Sequence, residues 1–120
     1  MKKSIPRCLI ADDVRAWREL LIAWIEECGY ETLAVADGVD ALAALDDYVP
    51  SLVVTDIEMP RSSGFELMSR IRQHRIEALR NVPVVVISSL YDHELASMVK
   101  SFGGTCALTK PLERARIQMI

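Results

Sequence analysis

Asp12-Asp13, Asp56, Ser88 and Lys110 are the residues of this chain whose types could do chemistry together. Each closes or follows a short apolar run: Cys8 to Ala11, Leu52 to Thr55, Val84 to Ile87, and Cys106 to Thr109. Three carboxylates brought close cannot all stay ionised unless a cation joins them. A hard cation with oxygen ligands, Mg²⁺ or Mn²⁺, suits such a set because it retains waters and bridges carboxylate to phosphate. A phosphoryl group on Asp56 would present its oxygens to that metal, to the Ser88 hydroxyl and to the Lys110 ammonium. Phosphoryl transfer needs positioning and charge compensation more than covalent machinery, so a carboxylate nucleophile, one metal ion and one lysine suffice.

The elements that must position these groups are legible as a strand and helix alternation. After the first apolar run, Val14, Trp17, Leu21, Trp24, Ile25 and Cys28 recur at helical spacing, and Gly29 follows as a left-handed stop. Glu31 to Ala36 supplies a second strand, and Ala41, Leu42, Ala44 and Leu45 mark a helix that Pro50 closes. Leu52 to Asp56 and Val84 to Ser88 are β-branched runs suited to fully buried strands. Phe65, Leu67, Met68 and Ile71 belong to a third helix, whose polar remainder from Arg72 to Arg80 tails into a loop before Pro83. Leu95, Met98 and Val99 mark a helix ended by Gly103-Gly104, and Pro111 stands before a short last one.

Five strands alternating with helices predict an α/β fold, a doubly wound parallel sheet covered on both faces. With the flavodoxin-like strand order 2-1-3-4-5, strands one and three are neighbours, and the carboxylates converge at the topological switch point.

Composition narrows the class. The 120 residues are 51% apolar and 26% charged, enough for one domain, 1–120, with its own core. Fourteen basic residues against seventeen acidic ones give a net charge of -3 with no long block of either sign, which argues against direct nucleic-acid binding. No apolar run reaches membrane-spanning length and no export signal is evident, so a cytoplasmic protein is expected. Cys8, Cys28 and Cys106 fit no metal-ligand spacing and are read as buried reduced thiols. Trp17 and Trp24 fall on the helical stripe and are read as core with no function; His74 and His93 are read as solvated surface.

Taken singly, each candidate site residue has a plain structural reading, Asp13 as a helix N-cap for example. Their conjunction on four strand ends is harder to assemble by accident. Asp12-Asp13, Asp56-Ile57-Glu58-Met59-Pro60, Ser88 and Lys110-Pro111 together resemble the signature of the response-regulator receiver family, across essentially the whole chain. The resemblance implies that Asp56 is phosphorylated by the phosphohistidine of a histidine kinase or histidine phosphotransfer protein. It implies that Asp13, Asp56 and the Glu58 backbone carbonyl hold Mg²⁺, with Asp12 acting mainly through water. Ser88 and Lys110 would hold the phosphoryl oxygens and relay the signal to the surface around the fourth helix and fifth strand. Such a domain is not an enzyme in the ordinary sense; it catalyses only its own phosphoryl transfer and autodephosphorylation.

Three positions depart from the family's commonest form. Ala107 stands where receivers usually carry a Tyr or Phe that swings inward, and Tyr91 is expected to take part of that role. Glu58 adds a negative charge at the mouth of the site and is expected to alter phosphoryl-group lifetime. Arg61-Ser62-Ser63-Gly64 replaces an apolar-acidic-glycine turn, with an effect expected only in the loop. Leu112 to Ile120 offers only about two and a half helical turns, which fits a short last helix or a piece of a longer regulator or hybrid kinase. Two other functions compete: a pseudo-receiver that binds protein without phosphate, and a phosphatase of the haloacid-dehalogenase type. The kinase, the downstream effector and dimerisation through the face of the fourth and fifth helices stay open.

Overall fold

The computed structural model describes residues 5–89 and 93–119. Strands β1 (Arg7–Ala11), β2 (Glu31–Val35), β3 (Leu52–Asp56), β4 (Val84–Ser88) and β5 (Cys106–Thr109) form one sheet in the order β2-β1-β3-β4-β5. All four pairings are parallel. Helices α1 (Arg15–Glu26), α2 (Gly38–Ala44), α3 (Gly64–Arg72), α4 (Glu77–Arg80), α5 (His93–Ser101) and α6 (Arg114–Gln118) make the crossovers and the last element.

The period-two alternation of the strands divides the core into two layers. Leu9, Ala11, Val53, Val84 and Val86 face α2 and α3, where Ala41, Leu45, Leu67, Met68 and Ile71 meet them. Cys8, Ile10, Val54, Val85 and Ile87 face the other way, onto Leu21 and Ile25 of α1 and Ile117 of α6. Strands β3 and β4 are buried throughout, as their β-branched sequences require, whereas the edge strands β2 and β5 are only partly covered. Gly29 and Gly103, just past the ends of α1 and α5, have φ of 91° and 93°, and Gly29 makes the left-handed stop expected of it.

Several expectations are corrected. The stretch after Arg72 does not simply tail from the third helix into loop, because Glu77–Arg80 forms a separate helical turn around the buried Leu79. Arg72 holds this turn from below, its guanidinium donating to the carbonyls of Arg80, Val82 and Gly103 at 3.0, 2.7 and 2.7 Å. Only Cys8 is a buried thiol, and burial pushes its pKa up to about 12. Cys28 lies past the end of α1 and Cys106 on an edge strand, so both are exposed. Val14 and Met98 are exposed, and Trp17 and Trp24 are half-buried against the α1 layer. His74 is not simple solvated surface: its side chain is 14% exposed, Nδ1 accepts from the Ile76 N–H, and Nε2 lies 3.3 Å from Asp46. Tyr91 and the His93 side chain lie outside the described residues. No helix among the described residues is long and apolar enough to cross a membrane.

Candidate functional site

The carboxyl ends of β1, β3, β4 and β5 bring the predicted residues to one rim. Asp12 follows β1 and is fully buried, Asp56 ends β3 at 6% exposure, and Asp13 stands exposed beside them. One carboxylate oxygen from each of these three lies within 4.8 Å of the other two. Lys110 reaches in from the far side of the rim, its Nζ 3.0 Å from Asp56 Oδ2 and 3.1 Å from Asp12 Oδ2.

The Asp12 carboxylate is held in two ways and left incomplete in a third. Its Oδ1 accepts the Val14 backbone N–H at 2.9 Å, which satisfies the start of α1. The N-cap of that helix is Val14, with no side chain capping it, so the N-cap reading of Asp13 does not hold. Arg18 donates to the Asp12 backbone carbonyl at 2.8 Å and ties the first turn of α1 to the end of β1. Asp12 Oδ2 is buried and, although ion-paired to Lys110, accepts no hydrogen bond. Burial raises the Asp12 pKa, against the lowering effects of the Val14 N–H and Lys110. Desolvation alone would lower the Lys110 pKa, but hydrogen bonds and charge from Asp56 and Asp12 outweigh it and raise the value.

Asp56 Oδ1 accepts the Glu58 backbone N–H at 3.3 Å, which folds the loop after β3 back over the carboxylate. The Glu58 side chain is exposed. Ser88 ends β4 with 4% exposure, and its backbone carbonyl accepts the Lys110 N–H at 2.8 Å. The Lys110-Pro111 peptide is cis. Ala107 is half-buried on β5, paired with Val86.

The turn Arg61-Ser62-Ser63-Gly64 reaches further than its own loop. Arg61 has φ of 69°, and its guanidinium meets Asp37 at 3.0 Å and Asp40 at 3.2 Å, strapping the loop after β3 to the first turn of α2. The Asp37 carboxylate caps that helix by accepting the Asp40 N–H, which with Arg61 lowers its pKa. Ser62 is buried and donates to Glu66, while Ser63 caps α3. Gly64 sits so close that a Cβ there would lie 2.2 Å from the Asp56 carbonyl oxygen.

Two further features were missed from the sequence. Arg18 gives no signal beyond its place four residues after Val14. Trp17 lies with its ring centroid 5.7 Å from Lys110 Nζ, and its position on an apolar stripe concealed this contact.

The response regulator receiver domain pattern matches residues 8–120, and the chain belongs to that family. The Regulator of RpoS of Escherichia coli is 35% identical over 105 residues, covering 88% of this chain and 30% of that protein. Response regulator RR06 of Streptococcus pneumoniae is 36% identical over 103 residues, covering 86% of this chain and 45% of the relative. The chain thus spans less than half the length of either. Among solved structures, the Francisella response regulator 1452 receiver domain superposes with a TM-score of 0.85 at 28% identity, covering 95% of this chain and 91% of that one. The chemotaxis response regulator CheY4 of Vibrio cholerae shares the fold, with a TM-score of 0.87 at 24% identity over 97% of this chain and 95% of its own.

Proposed function

We propose that Asp56 is the phosphoacceptor of this receiver and takes its phosphoryl group from the phosphohistidine of a histidine kinase or histidine phosphotransfer protein. The observation that carries the reading is the meeting of Asp12, Asp13 and Asp56 oxygens within 4.8 Å, with Lys110 Nζ against two of the three residues. In the transfer an Asp56 carboxylate oxygen forms the new bond to phosphorus as the phosphorus–nitrogen bond to imidazole breaks. The bond pair leaves with the imidazole nitrogen, so no outside oxidant or base is required.

The residues fit a hard divalent cation, since the cluster offers carboxylate oxygens and one of them, Asp12 Oδ2, is buried without a hydrogen bond. Asp13, Asp56 and the Glu58 backbone carbonyl would hold Mg²⁺ or Mn²⁺, with Asp12 acting through water. When bound, the ion supplies charge compensation for the phosphoryl oxygens. Lys110 and the Ser88 hydroxyl receive the other oxygens and carry the change to β5 and α5. This is a signalling role in the cytoplasm, and turnover is limited to the domain's own phosphorylation and autodephosphorylation.

The test is Mg²⁺-dependent incorporation of phosphate from acetyl phosphate. One phosphoryl group per chain is expected, reduced to background by Asp56→Asn or by EDTA. Mg²⁺ binding without label would favour the pseudo-receiver, and repeated turnover of a phosphate monoester would favour a phosphatase.

Glu58 is a modulator in the same reading. Its exposed carboxylate stands two residues from the acceptor, where it repels phosphate or orients water. The phosphoryl group on Glu58→Asn should decay at a rate different from the parent's, and matching half-lives would remove Glu58 from the account.

A further inference from the structure

We propose that Trp17 is a positioning residue for Lys110, its indole face holding the ammonium in place beside the Asp12 and Asp56 carboxylates. The inference rests on the phosphoacceptor reading of Asp56, and it adds to that reading a residue from α1. Lys110 extends on a flexible four-carbon stem and ends in a compact charge that can rotate freely. Its ammonium donates to Asp56 Oδ2 at 3.0 Å and to Asp12 Oδ1 at 3.5 Å, and lies 3.1 Å from Asp12 Oδ2. The indole of Trp17 adds a third contact to these. The Trp17 ring centroid is 5.7 Å from Nζ, within the range at which an aromatic face attracts a cation, and tryptophan is the strongest such face among the side chains.

The indole itself is well anchored. Trp17 packs on the layer that contains Cys8, Ile10 and Leu21, and its helix begins immediately after the acidic pair. Arg18, the next residue, donates to the Asp12 carbonyl at 2.8 Å, so the turn carrying the indole is tied to the end of β1. One segment therefore supplies both the buried carboxylate that attracts the lysine and the aromatic face beside it. Trp17 is half-buried and carries a cation over its ring.

Phosphoryl transfer to Asp56 requires the ammonium already in place when negative charge develops, so a Lys110 free to explore other rotamers compensates that charge less well. Leucine at position 17 keeps apolar bulk but removes the aromatic face; phenylalanine keeps a weaker face. The initial rate of labelling by acetyl phosphate at saturating Mg²⁺ is expected to fall about fivefold in Trp17→Leu and no more than about twofold in Trp17→Phe. Urea denaturation of each variant establishes that it is folded, and Trp17→Met replaces the leucine variant should that one not fold. A second readout needs no phosphate: the Lys110 ε-methylene protons, followed by NMR, should be shifted upfield by the indole in the parent. That shift should be smaller in the phenylalanine variant and absent in the leucine variant.

Equal labelling rates in parent and both variants, with the parent labelled on Asp56, would overturn the role of Trp17 and leave the receiver reading intact. A phenylalanine variant as slow as the leucine one would do the same, since it would reduce Trp17 to packing. A parent that takes no label would remove the phosphoacceptor reading instead. The ε-methylene shift then decides the contact by itself, and its absence from the parent would overturn the proposal.

Discussion

Lys110→Met is expected to destabilise the fold by about 3 kcal/mol at pH 7 in EDTA, because it leaves buried carboxylates without their cation. The relevant side chains are 10% exposed at Lys110, 0% at Asp12 and 8% at Asp56, so water does little to screen what remains. Methionine matches the lysine stem closely in length and keeps its apolar packing, which isolates the charge. The site can relieve the repulsion by taking up a proton, and Asp12, whose pKa burial already raises, is the group placed to do so. The sign follows from linkage. A carboxyl whose folded pKa lies above its unfolded value of about 3.9 binds more proton in the native state between those two values, so stability falls as pH rises through the folded pKa. Removing Lys110 takes away an influence that lowers the Asp12 pKa and extends that window upward. Urea denaturation at pH 5, 6, 7 and 8 should therefore show the variant gaining more stability than the parent as pH falls. Mg²⁺ at a hundredfold excess over the variant's dissociation constant should stabilise the variant by about 2.7 kcal/mol, and the same concentration should stabilise the parent less. A variant with parental stability and an unchanged pH slope would mean that Lys110 does not neutralise this cluster.

The same cluster shows which parts of the molecule could be read from the sequence. Asp12, Asp56, Ser88 and Lys110 each terminate or follow an apolar run, and strand ends in a parallel sheet share an edge, so their convergence needed only the order of the elements. The two central strands were equally plain, since Leu52–Asp56 and Val84–Ser88 have the β-branched composition of chains buried on both sides. Periodicity tells which face of a helix is apolar, but not what that face meets. Trp17 therefore looked like core, although Lys110 lies over its ring from 93 residues further along the chain. The turn at Arg61 was hidden for a similar reason, because its partners Asp37 and Asp40 belong to another helix. The helical turn at Glu77–Arg80 did carry a signal: Ile76, Leu79 and Val82 recur every three residues through a polar stretch, and Leu79 is fully buried. Cys28 and Cys106 were misjudged because an apolar neighbourhood in sequence does not distinguish a central strand from an edge or a helix from the residues just past it.

Gly64→Ala tests a close approach on which the loop after β3 depends, and a loss of about 3 kcal/mol is expected from forcing a methyl group into filled space. An alanine Cβ at this position would lie 2.2 Å from the Asp56 carbonyl oxygen, 3.0 Å from Ile57 Cα and 3.1 Å from the Asp56 carbonyl carbon. All three are backbone atoms, so no side-chain rotation can make room. The backbone they belong to is itself fixed, with Ile57 donating to the Ile87 carbonyl at 3.2 Å and accepting from the Gly64 N–H at 2.8 Å. Either the end of β3 or the start of α3 must move. The first displaces the Asp56 carboxylate, and the second pulls on the loop whose Glu58 N–H reaches that carboxylate at 3.3 Å. Apparent Mg²⁺ affinity should therefore fall about tenfold along with stability, a cost of about 1.4 kcal/mol in binding. Ser63→Ala separates this from simple weakening of the helix. It removes the side chain that caps α3 by accepting the Glu66 N–H at 3.2 Å, and should cost only about 1 kcal/mol while leaving Mg²⁺ affinity near that of the parent. A Gly64→Ala protein with parental stability and Mg²⁺ affinity would show that the loop has more slack than these contacts allow.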